Sequence, residues 1–145
     1  MNEIDPKTKG SARVLIVEDE AALMDIYSSI LAKAGYEVTK AVDGVAGLDA
    51  ALHGSPDLVL LDLALPLKDG FEILRDLRRH PQTAATPVIV ISNLGQDYEV
   101  KTGLKLGANK FLIKTNIDPN SLPQEVADVL AKAASGVRAD GVKAG

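Results

Sequence analysis

The sequence predicts an α/β fold, a parallel sheet with helices on both faces. Three observations carry this. Short apolar runs alternate with amphipathic helical patterns five times, as repeated strand–helix units do. The runs at Leu58–Leu61 and 87–91 have no polar alternation, as in strands buried on both faces. Charged or hydroxyl side chains stand where four of the runs end, and open parallel sheets collect their ligands at the carboxyl ends of strands.

The elements follow in order. Arg13–Val17 (Arg-Val-Leu-Ile-Val) reads as the first strand and ends at Glu18-Asp19-Glu20. Leu23, Ile26, Tyr27, Ile30, Leu31 and Ala34 then repeat along one helical face, and Gly35 stops that helix. Glu37–Ala41 is a weaker strand. Asp43 caps a short helix through Leu52, closed by Gly54 and Pro56. The Leu58–Leu61 strand reaches Asp62 and breaks into a Pro/Asp/Gly turn. Asp69 caps a helix with Phe71, Leu74 and Leu77 inward, ending near Pro81. The run 87–91 ends at Ser92. Tyr98, Val100 and Leu104 mark the next helix, although Gly103 inside it costs about 1 kcal/mol against Ala. Lys110–Ile113 is the last strand and ends at Lys114. Ser121 with Gln124 resembles a capping box, opening a helix that places Leu122, Val126, Val129, Leu130 and Ala133 on one face. Residues 1–12 read as a flexible leader and 135–145, rich in Gly and Ala, as a flexible tail. One domain, 13–134, lies between.

Composition narrows the function. The chain has 145 residues, enough for one domain with a real core. It has no Trp and few other aromatics, so packing rests on Leu, Val, Ile and Ala. With no Cys, disulfides, thiol nucleophiles and thiolate metal sites are excluded. A net charge of −4 without a basic patch speaks against nucleic-acid binding. No apolar run approaches the roughly 20 residues of a membrane span, and residues 1–12 are polar, without the apolar centre expected of a signal peptide. A cytoplasmic protein is expected.

The strand ends carry the chemistry. Glu18, Asp19 and Asp62 would share one sheet edge with Ser92 and Lys114. Crowded carboxylates raise each other's pKa, and a divalent cation removes that conflict. All-oxygen ligation suits Mg²⁺, with Mn²⁺ as a substitute. The hydroxyl and the ammonium could hold phosphoryl oxygens, because phosphoryl transfer needs positioning and charge neutralisation above all.

At these residues the sequence resembles a bacterial response-regulator receiver domain, the phospho-acceptor of two-component signalling. The resemblance covers roughly 13–134. It rests on Glu18-Asp19, on Asp62 with Pro66 and Asp69-Gly70 behind it, on Ser92, and on Phe111-Leu-Ile-Lys114. It implies a flavodoxin-like sheet of order 2-1-3-4-5 with five helices. It implies that Asp62 takes a phosphoryl group from a kinase phosphohistidine. Asp19, Asp62 and the backbone carbonyl of Ala64 would ligate Mg²⁺, with Glu18 acting through water. Lys114 and Ser92 would bind phosphoryl oxygens. Phe111 would turn inward as Ser92 is drawn to the site, switching the face of the fourth helix, fifth strand and fifth helix for a partner. The expected partners are a sensor histidine kinase or a histidine phosphotransferase, together with a downstream protein target. Phosphorylation-dependent homodimerisation is a further option.

Two departures stand out. The family generally has a proline, with a cis bond before it, after the lysine. Here Thr115 follows, and a cis bond at a non-proline residue costs about 3 kcal/mol, so a trans bond or a rearranged loop is expected. Ala64 and Leu94, two residues beyond Asp62 and Ser92, are apolar where polar side chains would orient a hydrolytic water. Slow self-dephosphorylation is therefore expected.

Simpler roles compete. Glu20 reads best as a first-turn acid at a helix N-terminus. Asp62, Ser92 and Lys114 taken singly would be turn, cap and solvated residues. Phe111 could be plain core. His53 and His80 have no partner at metal or triad spacing, and Lys101 with Lys105 reads as a solvated face. A flavin or nucleotide carrier would need a Gly- or Ser/Thr-rich loop where Glu18-Asp19-Glu20 stands. An aspartate-nucleophile phosphatase would need an acid where Ala64 stands, so no turnover enzyme is expected. A phosphorelay intermediate and a phosphorylation-independent interaction module remain as alternatives to a stand-alone receiver.

Overall fold

The computed structural model describes residues 12–93 and 96–135. Residues 1–11 of the expected leader, Leu94, and residues 136–145 of the expected tail lie outside the described residues. Strands and helices alternate throughout: β1 (Arg13–Val17), α1 (Ala21–Lys33), β2 (Glu37–Ala41), α2 (Gly44–Gly54), β3 (Leu58–Leu61), α3 (Gly70–Arg79), β4 (Val88–Ser92), α4 (Asp97–Lys105), β5 (Lys110–Ile113) and α5 (Leu122–Ser135). Two short 3-10 turns, Lys114–Asn116 and Pro119–Ser121, lead from β5 into α5.

The strands form one parallel sheet in the order β2-β1-β3-β4-β5. Alternate side chains of each strand point to opposite faces, so the sheet has two cores. Val14, Ile16, Leu58, Leu60, Ile89 and Ile91 pack under α1 and α5. Leu15, Val17, Val59, Leu61, Val88 and Val90 pack under α2 and α3. β3 and β4 are buried along their whole length, which is why their sequences lack alternation. Ala12, assigned above to the leader, is fully buried and its carbonyl accepts from the Glu37 N–H at 2.9 Å.

The predicted caps of α2 and α3 form. Asp43 accepts from the Ala46 N–H at 2.7 Å, and Asp69 from the Glu72 N–H at 3.1 Å. Two local expectations are corrected. In α1 the buried stripe is Met24, Tyr27, Ser28 and Leu31, while Ile26 is exposed. The helix has more apolar residues than one face can hold, so periodicity alone leaves its phase open, and the flexible Met24 fills the gap against the sheet. Ser121 and Gln124 make no capping box at α5. Instead the Asp118 carboxylate accepts from the Asn120 N–H at 2.9 Å, Ser121 Oγ donates to the Asp118 carbonyl at 2.7 Å, and Gln124 reaches along the helix to Asp128. Pro119, with its fixed φ, starts the turn early and moves the cap upstream.

Candidate functional site

The sheet register builds the site. Val17 pairs with both Ala41 and Leu61, so β1 and β3 end level with each other. The next residues, Glu18 and Asp62, are tied back by their N–H groups to the Ala41 and Val17 carbonyls, each at 3.0 Å. Their side chains therefore emerge side by side at the carboxyl edge. Ser92 closes β4 opposite Ile113, which puts Lys114 one residue past the same edge.

Glu18, Asp19 and Asp62 each bring a carboxylate oxygen within 4.8 Å of the others. Glu18 and Asp62 are buried, whereas Asp19 is exposed at the rim. The Lys114 ammonium sits between the two buried acids, 2.9 Å from Glu18 Oε1 and 3.1 Å from Asp62 Oδ2. The peptide bond after Lys114 is trans, since the described chain has no cis bond. The 3-10 turn at Lys114–Asn116 takes the place of a proline-bearing loop, and the lysine still reaches the site.

Charge follows from this packing. Burial pushes the Glu18 carboxyl up from its ordinary value of 4.5, against the pull of Lys114 and of the Glu20 N–H. Burial opposes the charge of Lys114 as well, but its bond to Glu18 and the charge of Asp62 outweigh it, and its pKa rises above 10.5.

The loops fix the carboxylates. Glu18 Oε2 accepts from the Glu20 N–H at 3.0 Å at the start of α1, while the Glu20 side chain makes no cap bond. Asp62 Oδ1 accepts from the Ala64 N–H at 3.2 Å. The turn after Asp62 closes where the Gly70 N–H meets the Leu63 carbonyl at 2.9 Å. A Cβ on Gly70 would lie 2.5 Å from the Asp62 carbonyl oxygen, so only glycine fits there.

Ser92 is fully buried at the same edge. The Phe111 ring is half-buried and lies against Gly103 of α4. His53 is an exposed residue paired with Asp49, and His80 bonds the Asp76 carbonyl, so neither approaches the acids. Lys101 and Lys105 are exposed. Two features escaped the sequence reading. One is the Glu18–Lys114 ion pair, which spacing along the chain does not reveal. The other is the Gly103 notch, whose only sequence signal was a glycine misplaced in a helix.

The donor set fits a hard divalent cation. It is all oxygen, three carboxylates share one small space, and among the described residues the buried Glu18 Oε1 has no partner beyond its ion pair with Lys114.

The comparisons agree with the fold. Residues 14–127 match the model of the response regulator receiver domain. The chain is 40% identical over 120 residues to the DNA-binding dual master transcriptional regulator RpaA of Synechocystis, covering 83% of this chain and 46% of that protein. It is 35% identical over 120 residues to protein PilH of Pseudomonas aeruginosa, covering 83% of this chain and 98% of PilH. The chain thus spans about half the length of several curated relatives and nearly all of another. Among solved structures, chemotaxis response regulator CheY4 of Vibrio cholerae superposes with a TM-score of 0.76 at 30% identity, covering 81% of this chain and 98% of CheY4. The BeF3-activated receiver domain of Klebsiella pneumoniae RstA gives 0.74 at 29% identity, covering 81% of this chain and 97% of that one. The chain belongs to the response regulator receiver domain family of two-component systems. Such domains are signalling phospho-acceptors that generally bind Mg²⁺ at an acidic pocket and interact with kinases and downstream targets. Among the described residues no helix is long and apolar enough to cross a membrane.

Proposed function

We propose that Asp62 is the phospho-acceptor of this receiver. One observation carries the reading: a buried strand-end carboxylate lies 3.1 Å from a lysine ammonium and beside two further acids. A carboxylate oxygen of Asp62 attacks the phosphorus of a kinase phosphohistidine. The P–N bond breaks, the imidazole nitrogen takes up a proton, and an aspartyl phosphate remains. Mg²⁺, when bound, neutralises charge on the phosphoryl oxygens. Asp19, Asp62 and the Ala64 carbonyl would hold it, with Glu18 behind through water. Lys114 would exchange its carboxylate partners for a phosphoryl oxygen, and the Ser92 hydroxyl would donate to another.

Drawing Ser92 toward the phosphoryl group frees space into which Phe111 turns. The output face is then α4–β5–α5, where Tyr98 and Leu104 are exposed. Binding of a downstream protein shifts with the population of the turned-in state. The phosphoryl donor is a sensor histidine kinase or a histidine phosphotransferase.

Beryllofluoride, a stand-in for the phosphoryl group, tests this. Binding is expected only with Mg²⁺ and is expected to vanish in Asp62→Ala. Binding that persists in that variant, or no binding to the wild type with Mg²⁺, sinks the reading and leaves the phosphorylation-independent module.

A further inference from the structure

The one buried residue of α4 is a glycine. A Cβ built on Gly103 would lie 2.9 Å from Phe111 Cδ2 and 3.1 Å from Cε2, with Phe71 Cε1 3.9 Å away. The ring of Phe111 thus occupies the volume that any other residue at 103 would fill. Glu99 and Val100 are only half-buried, and the rest of the helix is exposed, with Tyr98 at 69% and Leu104 at 40%. A glycine is also a poor choice for a helix of 9 residues, because it costs backbone entropy and adds no packing of its own. Its compensation here is the ring it admits. A buried face normally supplies most of a short helix's stability, and for α4 much of that face belongs to β5.

We propose that the Gly103 notch is the resting seat of the Phe111 ring, and that α4 is docked chiefly by it. This rests on the phospho-switch reading above and adds its regulation. When the ring leaves the notch, α4 loses its main packing, and the output face loosens or shifts. The glycine therefore holds the unphosphorylated state. A methyl group at position 103 evicts the ring and biases the domain toward the ring-away state without phosphorylation. Gly103 acts through Phe111 and touches no reacting atom, so it is a positioning residue.

The chain has only 2 phenylalanines, so fluorine-labelled Phe gives two NMR signals, and Phe111→Leu assigns them. In wild-type protein, Mg²⁺ with beryllofluoride is expected to move the Phe111 signal. Gly103→Ala alone is expected to move it in the same direction, by at least about half as much. A Phe111 signal that stays at the resting position in Gly103→Ala overturns the proposal. Should that variant not fold, Phe111→Ala tests the same idea from the other side. Emptying the notch is expected to speed amide exchange in residues 97–105 by about tenfold or more, with the remaining helices little changed. Unchanged exchange in α4 overturns it. If beryllofluoride fails to bind the wild type, the phospho-acceptor reading falls, whereas the exchange and Gly103→Ala measurements still decide whether the notch docks α4.

Discussion

At the scale of the residue, Glu18 and Lys114 show how the site stores charge. Both have raised pKa values, and both therefore contribute stability at lower pH and lose it at higher pH. For Lys114 the contribution is complete below pH 10.5 and disappears as the pH rises through its folded-state value. For Glu18 it is complete below 4.5 and disappears as the pH rises through its own raised value, since burial resists the ionised form. As the pH rises above 4.5 the metal-free domain should therefore lose stability through Glu18. Glu18→Gln should flatten that part of the profile and weaken Mg²⁺ binding. Urea unfolding across this range checks it, and equal slopes in variant and wild type would contradict it. Leu67 is a second residue under tension. It sits at φ 70 with 78% of its surface exposed, in the turn after Asp62. A left-handed backbone at a leucine is costly, while glycine adopts it freely but has more unfolded-state entropy. Leu67→Gly should therefore stabilise by about 0.5–1 kcal/mol in denaturant melts, and a lower midpoint would show that the leucine packs usefully.

At the scale of the element, Arg78 does what no helix cap could. From the last turn of α3 its guanidinium donates to the Gly107 carbonyl at 2.7 and 3.2 Å, to the Thr86 and Thr83 carbonyls at 2.7 and 3.2 Å, and to Asn109 Oδ1 at 3.2 Å. Asn109 Oδ1 in turn accepts from the Val88 N–H at 2.9 Å. One side chain thus joins the end of α3, the entry to β4 and the entry to β5. The planar fork matters as much as the charge. Arg78→Lys keeps the charge but leaves carbonyls without donors, and should destabilise by about 2–3 kcal/mol. A loss under about 0.5 kcal/mol would mean that water replaces the fork. β5 and α5 are joined differently, by an ion pair between Lys110 and Glu125. Half-exposed as it is, this pair contributes at most about 1 kcal/mol.

At the scale of the molecule, the quantity that matters to a switch is how long it stays on. Ala64, two residues past Asp62, is exposed at the site, and its methyl side chain offers no polar group to orient an attacking water. Slow self-dephosphorylation follows as a proposal. Ala64→Asn should shorten the phosphoryl lifetime, read from the decay of the aspartyl phosphate after removal of donor. An unchanged lifetime would place control of the water elsewhere. Leu94 belongs to the same expectation but lies outside the described residues.

Much of this was determined by the sequence alone. Five strand–helix repeats fix the fold class, because a strand buried on both faces and an amphipathic helix leave different periodicities. The parallel pairing then brings Glu18, Asp62, Ser92 and Lys114 to one edge, since each closes or follows a strand. Local caps at Asp43 and Asp69 were legible because a capping carboxylate acts within three residues. Tertiary structure decided the rest. The rotation of α1 depends on which apolar face the sheet has room for, and an excess of apolar residues hides that from the periodicity. The cap of α5 moved to Asp118 because a proline turn intervened. The Glu18–Lys114 pair and the seat of Phe111 on Gly103 join residues distant in the chain, and only packing sets their distances. Periodicity reports which side of an element is buried, and contact between elements decides what it is buried against.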